Sequence, residues 1–283
     1  MGEEKGEAMS FTPGQWVNDP QRVAMISRAF RKKSAPVPVA LTLITGEVHA
    51  GHFACLRAAK RIRGAVVIVA WRDAPEEDSA AAQAVRDAGA DVIFPVSEDA
   101  LWPHGPRTRV TPANHGLESP EALAADVTFA VALLGLVQPT DAVWGENRYE
   151  RLIAIQYAVS DLHLPVRLQG VPTVRSGEGI AVSAANPRIP EVDRPRATAL
   201  SAALTAGAHV AEEGAAEVER VAREVLKAAG VEPAYLAVRG RDLGDPPAEG
   251  DARLLVGADI GGVHLVDSVG LPLGIGFRNL DGS

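Results

Sequence analysis

Two histidines three residues apart, His49 and His52, flank Gly51 in the run Leu43-Ile44-Thr45-Gly46-Glu47-Val48-His49-Ala50-Gly51-His52. Gly46 and Gly51 let a ligand come close to the backbone, and the run stands between an apolar stretch and a helical one. A helix that begins here offers free amides and the positive end of its dipole, which attract phosphate. Two imidazoles beside those amides can donate hydrogen bonds to a triphosphate. The same pair, extended by Cys55, could start a metal set, but no third-ligand cluster of convincing spacing follows elsewhere, so no metal is expected. Ordinary surface histidines are the plain alternative, because short motifs carry real false-positive risk.

Such a pair needs a strand before it and a helix after it, and the sequence supplies both. Apolar runs at 37–43, 65–71, 91–95, 141–144 and 165–168 read as buried strands. Helical stretches at 53–63, 79–88, Pro120–Val137 and 149–162 lie between them. Strands alternating with helices predict an α/β fold, a doubly wound parallel sheet covered on both faces, with ligands bound outside the carboxyl ends of the strands. After Asn186 the bridge PRIPEVDRP leads to Ala-rich amphipathic stretches at 196–207 and 214–229, then to β-like runs at 234–239, 253–258 and 263–269 between Gly-rich turns. The expected organisation is a disordered tail over 1–10, a nucleotide-binding domain over 11–186, and a small α+β lid domain over 187–283, with the site in the cleft between the two.

Composition excludes several classes. The 283 residues are 47% hydrophobic, enough to bury a substantial core. With 28 Lys+Arg against 36 Asp+Glu, the net charge of −8 argues against nucleic acid as a partner. One cysteine permits no intramolecular disulfide and suits a reducing compartment, so a cytoplasmic location is expected. The acidic start MGEEKGEAMS does not read as a signal peptide, no uninterrupted apolar stretch reaches a membrane span, and neither secretion nor membrane insertion is expected. His104, His115 and His163 fall in turns and read as solvated, and His264 reads as a satisfied strand histidine.

The H-x-G-H arrangement resembles the nucleotide-binding signature of the HIGH-type nucleotidyltransferases, which are Rossmann-like. From Pro36 to Gly274 the chain resembles the pantothenate synthetase (pantoate–beta-alanine ligase) family more specifically. GEVHAGHFACLRAAKR is similar to that family's first motif and helix, VWGEN to its G-E-K-D segment, and GVPTVRSGEGIAVSAAN to its G-V-P-T-x-R…S-S-R-N segment. The resemblance implies ATP, arriving with Mg, as cofactor. It implies a carboxylic acid converted to an acyl-adenylate, an amine that captures it, and a homodimer; the apolar stretches 129–137 and 153–159 are more hydrophobic than one buried face requires.

The departures fall on the family's site positions. Leu43-Ile44-Thr45 replaces Pro-Thr-Met. Ala74 and Glu77 replace the asparagine and glutamine that supply amides to the acid, and Glu121 to Ala124 replaces Arg-Pro-x-His-Phe. Asn147 replaces the lysine, Arg148 the aspartate, and Arg151 a glutamine that touches the acid. In Ser183-Ala184-Ala185-Asn186 a serine and an arginine expected at the β- and γ-phosphates are gone. The carried-over assignment is catalysis by His49, His52 and Arg148; nucleotide contacts from Thr45, Gly46, Gly51, Gly145, Asn147, Val174, Val182 and Ser183; and acid contacts from Leu43, Thr45, Ala74, Glu77 and Arg151. Two functions remain open: a ligase for an acid other than pantoate, or less specific for it, and a non-adenylating homologue that binds, regulates or does other chemistry in the same cleft.

Overall fold

β-branched runs such as Val-Val-Ile-Val-Ala-Trp favour pleated strands, and here they stack into one parallel sheet. A computed structural model describes residues 11–275; the tail expected over 1–10 lies outside the described residues. In chain order the first elements are β1 (Gln15–Trp16), α1 (Pro20–Arg31), β2 (Val39–Thr45), α2 (Ala50–Lys60), β3 (Val66–Arg72) and α3 (Ala80–Asp87). They are followed by β4 (Val92–Pro95), α4 (Glu98–Leu101), α5 (Pro120–Val137), β5 (Asp141–Gly145), α6 (Tyr149–Asp161) and β6 (Arg167–Val171). The six strands run in the order β1-β4-β3-β2-β5-β6, all parallel. The order reverses between β2 and β5, so a crevice opens at their carboxyl ends, where the sequence places Thr45, Gly46 and Gly145.

Alternation along each strand feeds two cores. Leu41, Ile68, Val92 and Ala142 pack with α1, α5 and α6, while Ala40, Val67, Ile93 and Val143 pack with α2 and α3. By length and composition α5 could cross a membrane, but half of it is buried, against the sheet and α6. Phe129, Leu133, Leu134, Ala154, Ile155 and Val159 are buried in the same core. Much of the apolarity of 129–137 and 153–159 is therefore spent within the chain, while Val131, Leu136 and Ile153 stay half-buried and Tyr157 is exposed. The sequence reading passes over α1, although Asp19 caps it by accepting the Gln21 N–H at 2.9 Å and Pro20 opens its first turn.

A smaller domain follows. α7 (Arg194–His209) and α8 (Ala215–Ala228) pack on an antiparallel sheet of β7 (Tyr235–Gly240), β8 (Gly250–Ile260) and β9 (Val263–Leu273). β8 and β9 are longer than the runs at 253–258 and 263–269 suggest. Gly261 and Gly262 turn between them, both at positive φ (58° and 77°), and the two-residue loop sets a long ladder in which Asp259 faces His264.

Candidate functional site

The carboxyl ends of β2, β5 and β6, together with α7 and β9, enclose a cleft of about 650 Å³. Leu43, Thr45, Gly46, His49, Gly51 and His52 line it from the β2 side, and Gly145, Asn147, Arg148 and Arg151 from the β5 side. Val174, Val182 and Ser183 come from the loop after β6. The site expected from sequence is thus brought together, apart from two residues.

Those two are Ala74 and Glu77. Ala74 packs against the α2/α3 core, and Glu77 turns outward to Arg86, 3.5 Å away with its side chain 61% exposed. The cause is local. β3 stops at Arg72, Asp73 adopts a positive φ of 58°, and the short loop to α3 leads away from the cleft. Asp73 lines the cleft instead.

The histidine pair forms the cap of α2. His49 is the N-cap, its Nδ1 accepting the Gly51 N–H at 3.2 Å, and His52 Nδ1 accepts the His49 N–H at 3.3 Å. This is a capping box made of imidazoles, with the rings stacked at 3.7 Å. Because both Nδ1 atoms accept, each neutral ring carries its proton on Nε2 and keeps one donor free. Burial lowers the pKa of both, and burial together with His49 and Arg151 pulls His52 down to about 3, so both are neutral at pH 7. Gly46 holds a positive φ of 66°, which puts its carbonyl 2.9 Å from the buried Trp71 Nε1 and lets the chain turn into α2. A Cβ on Gly51 would stand 3.1 Å from the His49 ring, so a side chain there would crowd it. Cys55, one turn further along the helix, is buried, and its thiol is pushed up to about 11.

Opposite the cap lies the turn 182–188. The Asn186 side chain accepts from Ser183 N at 2.9 Å and from the Ser183 hydroxyl, and its amide donates to Ala181 O at 3.1 Å. The position of a Cβ on Gly46 is 3.8 Å from Ala184 Cβ, so this turn faces the helix start. The loop is braced from β9: Arg175 grips Asp267 with both terminal nitrogens, Nη2 to Oδ1 at 2.9 Å. A second brace runs from Arg253 on β8 to Glu146 at 2.6 Å and Ser268 Oγ at 2.9 Å, with the guanidinium 3.8 Å over the Tyr149 ring.

A side lobe of about 60 Å³ is lined by Leu43, Thr45, Arg72, Asp126, Phe129, Ala130, Trp144, Arg148, Arg151 and Ile155. Arg148 was expected to stand in for a missing lysine charge. It is instead paired with Asp126 at 3.4 Å and Glu118 at 3.5 Å, and Arg151 reaches the same Asp126 at 3.8 Å. Arg72 stacks on Phe129 and pairs with Glu98 at 2.6 Å. Trp144 also lines both spaces, and its buried Nε1–H has no acceptor among the described residues.

Several site residues escape sequence reasoning. His264 lines the cleft and sits between Asp259 (2.8 Å) and Glu118 (3.3 Å), which hold its pKa above the usual value despite partial burial. His115 is only half-exposed, and its Nε2 is buried with no hydrogen-bond partner among the described residues. Arg175, Arg188, Arg253 and Asp267 are distant in sequence from the motif, and no local pattern marks them. No three His, Cys, Asp or Glu side chains group as a metal site among the described residues.

Comparison with known proteins agrees with this geometry. Residues 15–270 match the pantoate-beta-alanine ligase family. The chain is 38% identical to a pantothenate synthetase of Corynebacterium jeikeium, covering 96% of this chain and 95% of that protein. It is 40% identical to one of Rhodococcus jostii, over 93% and 90% respectively. A crystal structure of pantothenate synthetase from Thermus thermophilus superposes with a TM-score of 0.76 at 27% identity, covering 90% of this chain and 98% of that one. Histidine-capped helix, crevice and small antiparallel domain thus sit in a chain that belongs, over nearly its whole length, to the pantoate-beta-alanine ligase family of ATP-dependent C–N ligases.

Proposed function

We propose that the protein adenylates a carboxylic acid other than pantoate, a short and polar one, and couples it to an amine. The observation that carries the adenylation half is the neutral histidine pair capping α2 inside the cleft: the cap occupies the first helix amides and leaves two Nε2–H donors at the positive end of the helix dipole. Those donors would hold the triphosphate and the departing pyrophosphate. The carboxylate oxygen would attack the α-phosphorus, the bond to the β-phosphate would break, and the pair would stabilise charge on the leaving group. Gly145, Asn147, Val174, Val182 and Ser183 would hold the nucleotide. The amine would then attack the acyl carbon and release AMP inside a cleft that excludes water.

The side lobe supports a changed acid. At about 60 Å³ against about 650 Å³ for the main cleft it is a small recess, which suits a short substrate body. Arg148 is matched by Glu118 and Asp126, whereas Arg151 reaches only Asp126 among the described residues, at 3.8 Å, so Arg151 is the cation that would turn to fix the substrate carboxylate where cleft and lobe meet. The unpaired Trp144 Nε1–H offers a donor to an acid oxygen.

Magnesium would arrive on ATP, held by phosphates and one or two carboxylates. Of the two cleft carboxylates, Asp267 is held by Arg175, and Asp73 has no partner among the described residues, so Asp73 is the one that would meet the metal. As in the family reading, the protein would act as a cytoplasmic homodimer, which sedimentation tests.

The test is exchange of labelled pyrophosphate into ATP with a panel of hydroxy, keto and amino acids beside pantoate. Exchange driven best by a short polar acid supports the reading. Exchange driven best by pantoate removes the changed-acid half, and no exchange with any acid removes adenylation and favours a non-adenylating binding protein.

A further inference from the structure

The cleft's cations are unequal. Arg148 and Arg151 share Asp126, and His264 lies between Asp259 and Glu118. Arg188 also lines the cleft, and its side chain makes no hydrogen bond or ion pair among the described residues. From these contrasts we infer that Arg188 is the residue that grips the β- and γ-phosphates of ATP, a specificity determinant for the triphosphate end. The inference rests on the ATP reading above.

Backbone geometry places it there. Residues Asn186–Arg188 form a 3-10 turn, with the Arg188 N–H bonded to Ala185 O at 3.0 Å. In such a turn side chains at i and i+3 eclipse, so Arg188 projects from the face that Ala185 occupies. Ala185 stands where the family resemblance implies a phosphate-binding arginine, and the guanidinium is thereby resupplied three positions later on the same face. The turn is pinned by the Asn186 side chain and faces the start of α2, since a Cβ on Gly51 would lie 4.0 Å from Val182 O. A triphosphate anchored by the His49 and His52 Nε2–H groups at the positive end of α2 would then lie between the helix start and a permanent, planar cation with no protein carboxylate to compete for it.

Calorimetric titration of the full chain with ATP, ADP and AMP, each with magnesium, tests this. The Arg188→Ala protein should lose about ten- to a hundredfold in ATP affinity, less for ADP, and under about twofold for AMP. Arg188→Lys should recover part of the loss, because the charge remains without the fork. The exposed side chain holds nothing in place, so the unfolding midpoint of Arg188→Ala should match the wild type and exclude misfolding as the cause. Unchanged ATP affinity in Arg188→Ala, or an equal loss for ATP and AMP, overturns the inference and leaves the ATP reading standing. A wild-type protein that binds no ATP overturns both.

Discussion

At the scale of single residues, His49 and His52 do two jobs with the two nitrogens of each ring. Nδ1 closes the helix cap and Nε2 is left to donate. His52→Gln keeps an acceptor for the His49 N–H while removing the aimed donor, so it should fold at pH 7.5 with a loss of about 1 kcal/mol or less and exchange pyrophosphate on the order of 100-fold more slowly. Urea unfolding and exchange rates check both halves. The pair also sets an acid sensitivity. Its folded pKa values lie below the unfolded value of 6.5, so the stability it contributes is full above pH 6.5 and is lost as pH falls, towards about 3 for His52. The urea midpoint of the wild type should therefore drop between about pH 7.5 and pH 5, and that of His52→Gln should drop less. The pair was legible in the sequence because cap and motif lie within four consecutive residues. Ala74 and Glu77 were misplaced because the left-handed Asp73 diverts the loop, a backbone choice that an aspartate does not announce.

At the scale of elements, strands and covering helices were readable because parallel strands buried on both faces give continuous apolar runs. β1, with two residues, and α4, with four, are too short for any periodicity to mark. Tertiary pairing was hidden for another reason. Arg175 with Asp267, Arg253 with Glu146, and Glu118 with His264 join residues between 92 and 146 positions apart, and no window along the chain contains both partners. α5 carries much of the sheet's support, and Leu133 on it is fully buried. Leu133→Ala should cost about 2 to 5 kcal/mol, seen as a lower urea midpoint with activity intact under native conditions. Asp126, also on α5, acts differently. Asp126→Ala releases Arg151 and leaves Arg148 with Glu118 alone, and should lower the acid KM severalfold for small dianionic acids over monoanionic ones, measured by steady-state kinetics.

At the scale of the molecule, the cleft exists because two cores meet along a seam of charge. The Arg253 to Glu146 contact is largely buried on both sides, between the value of a surface pair and that of a fully buried one. Arg253→Met should then destabilise by roughly 1 to 3 kcal/mol. Because Glu146 stands between Gly145 and Asn147, both of which line the cleft, the substitution should also raise the KM for ATP, which proteolysis of the small domain and kinetics would register together. The central claim is that this cleft transfers an adenylyl group to a carboxylate. The most direct measurement uses the acid selected by exchange, labelled with ¹⁸O in its carboxylate, and follows the label through turnover with ATP and amine by mass spectrometry. Attack on the α-phosphorus followed by aminolysis of the acyl carbon leaves one labelled oxygen in AMP, which is the predicted result. Label in inorganic phosphate with ADP as co-product, or no label in any phosphate product, would contradict it.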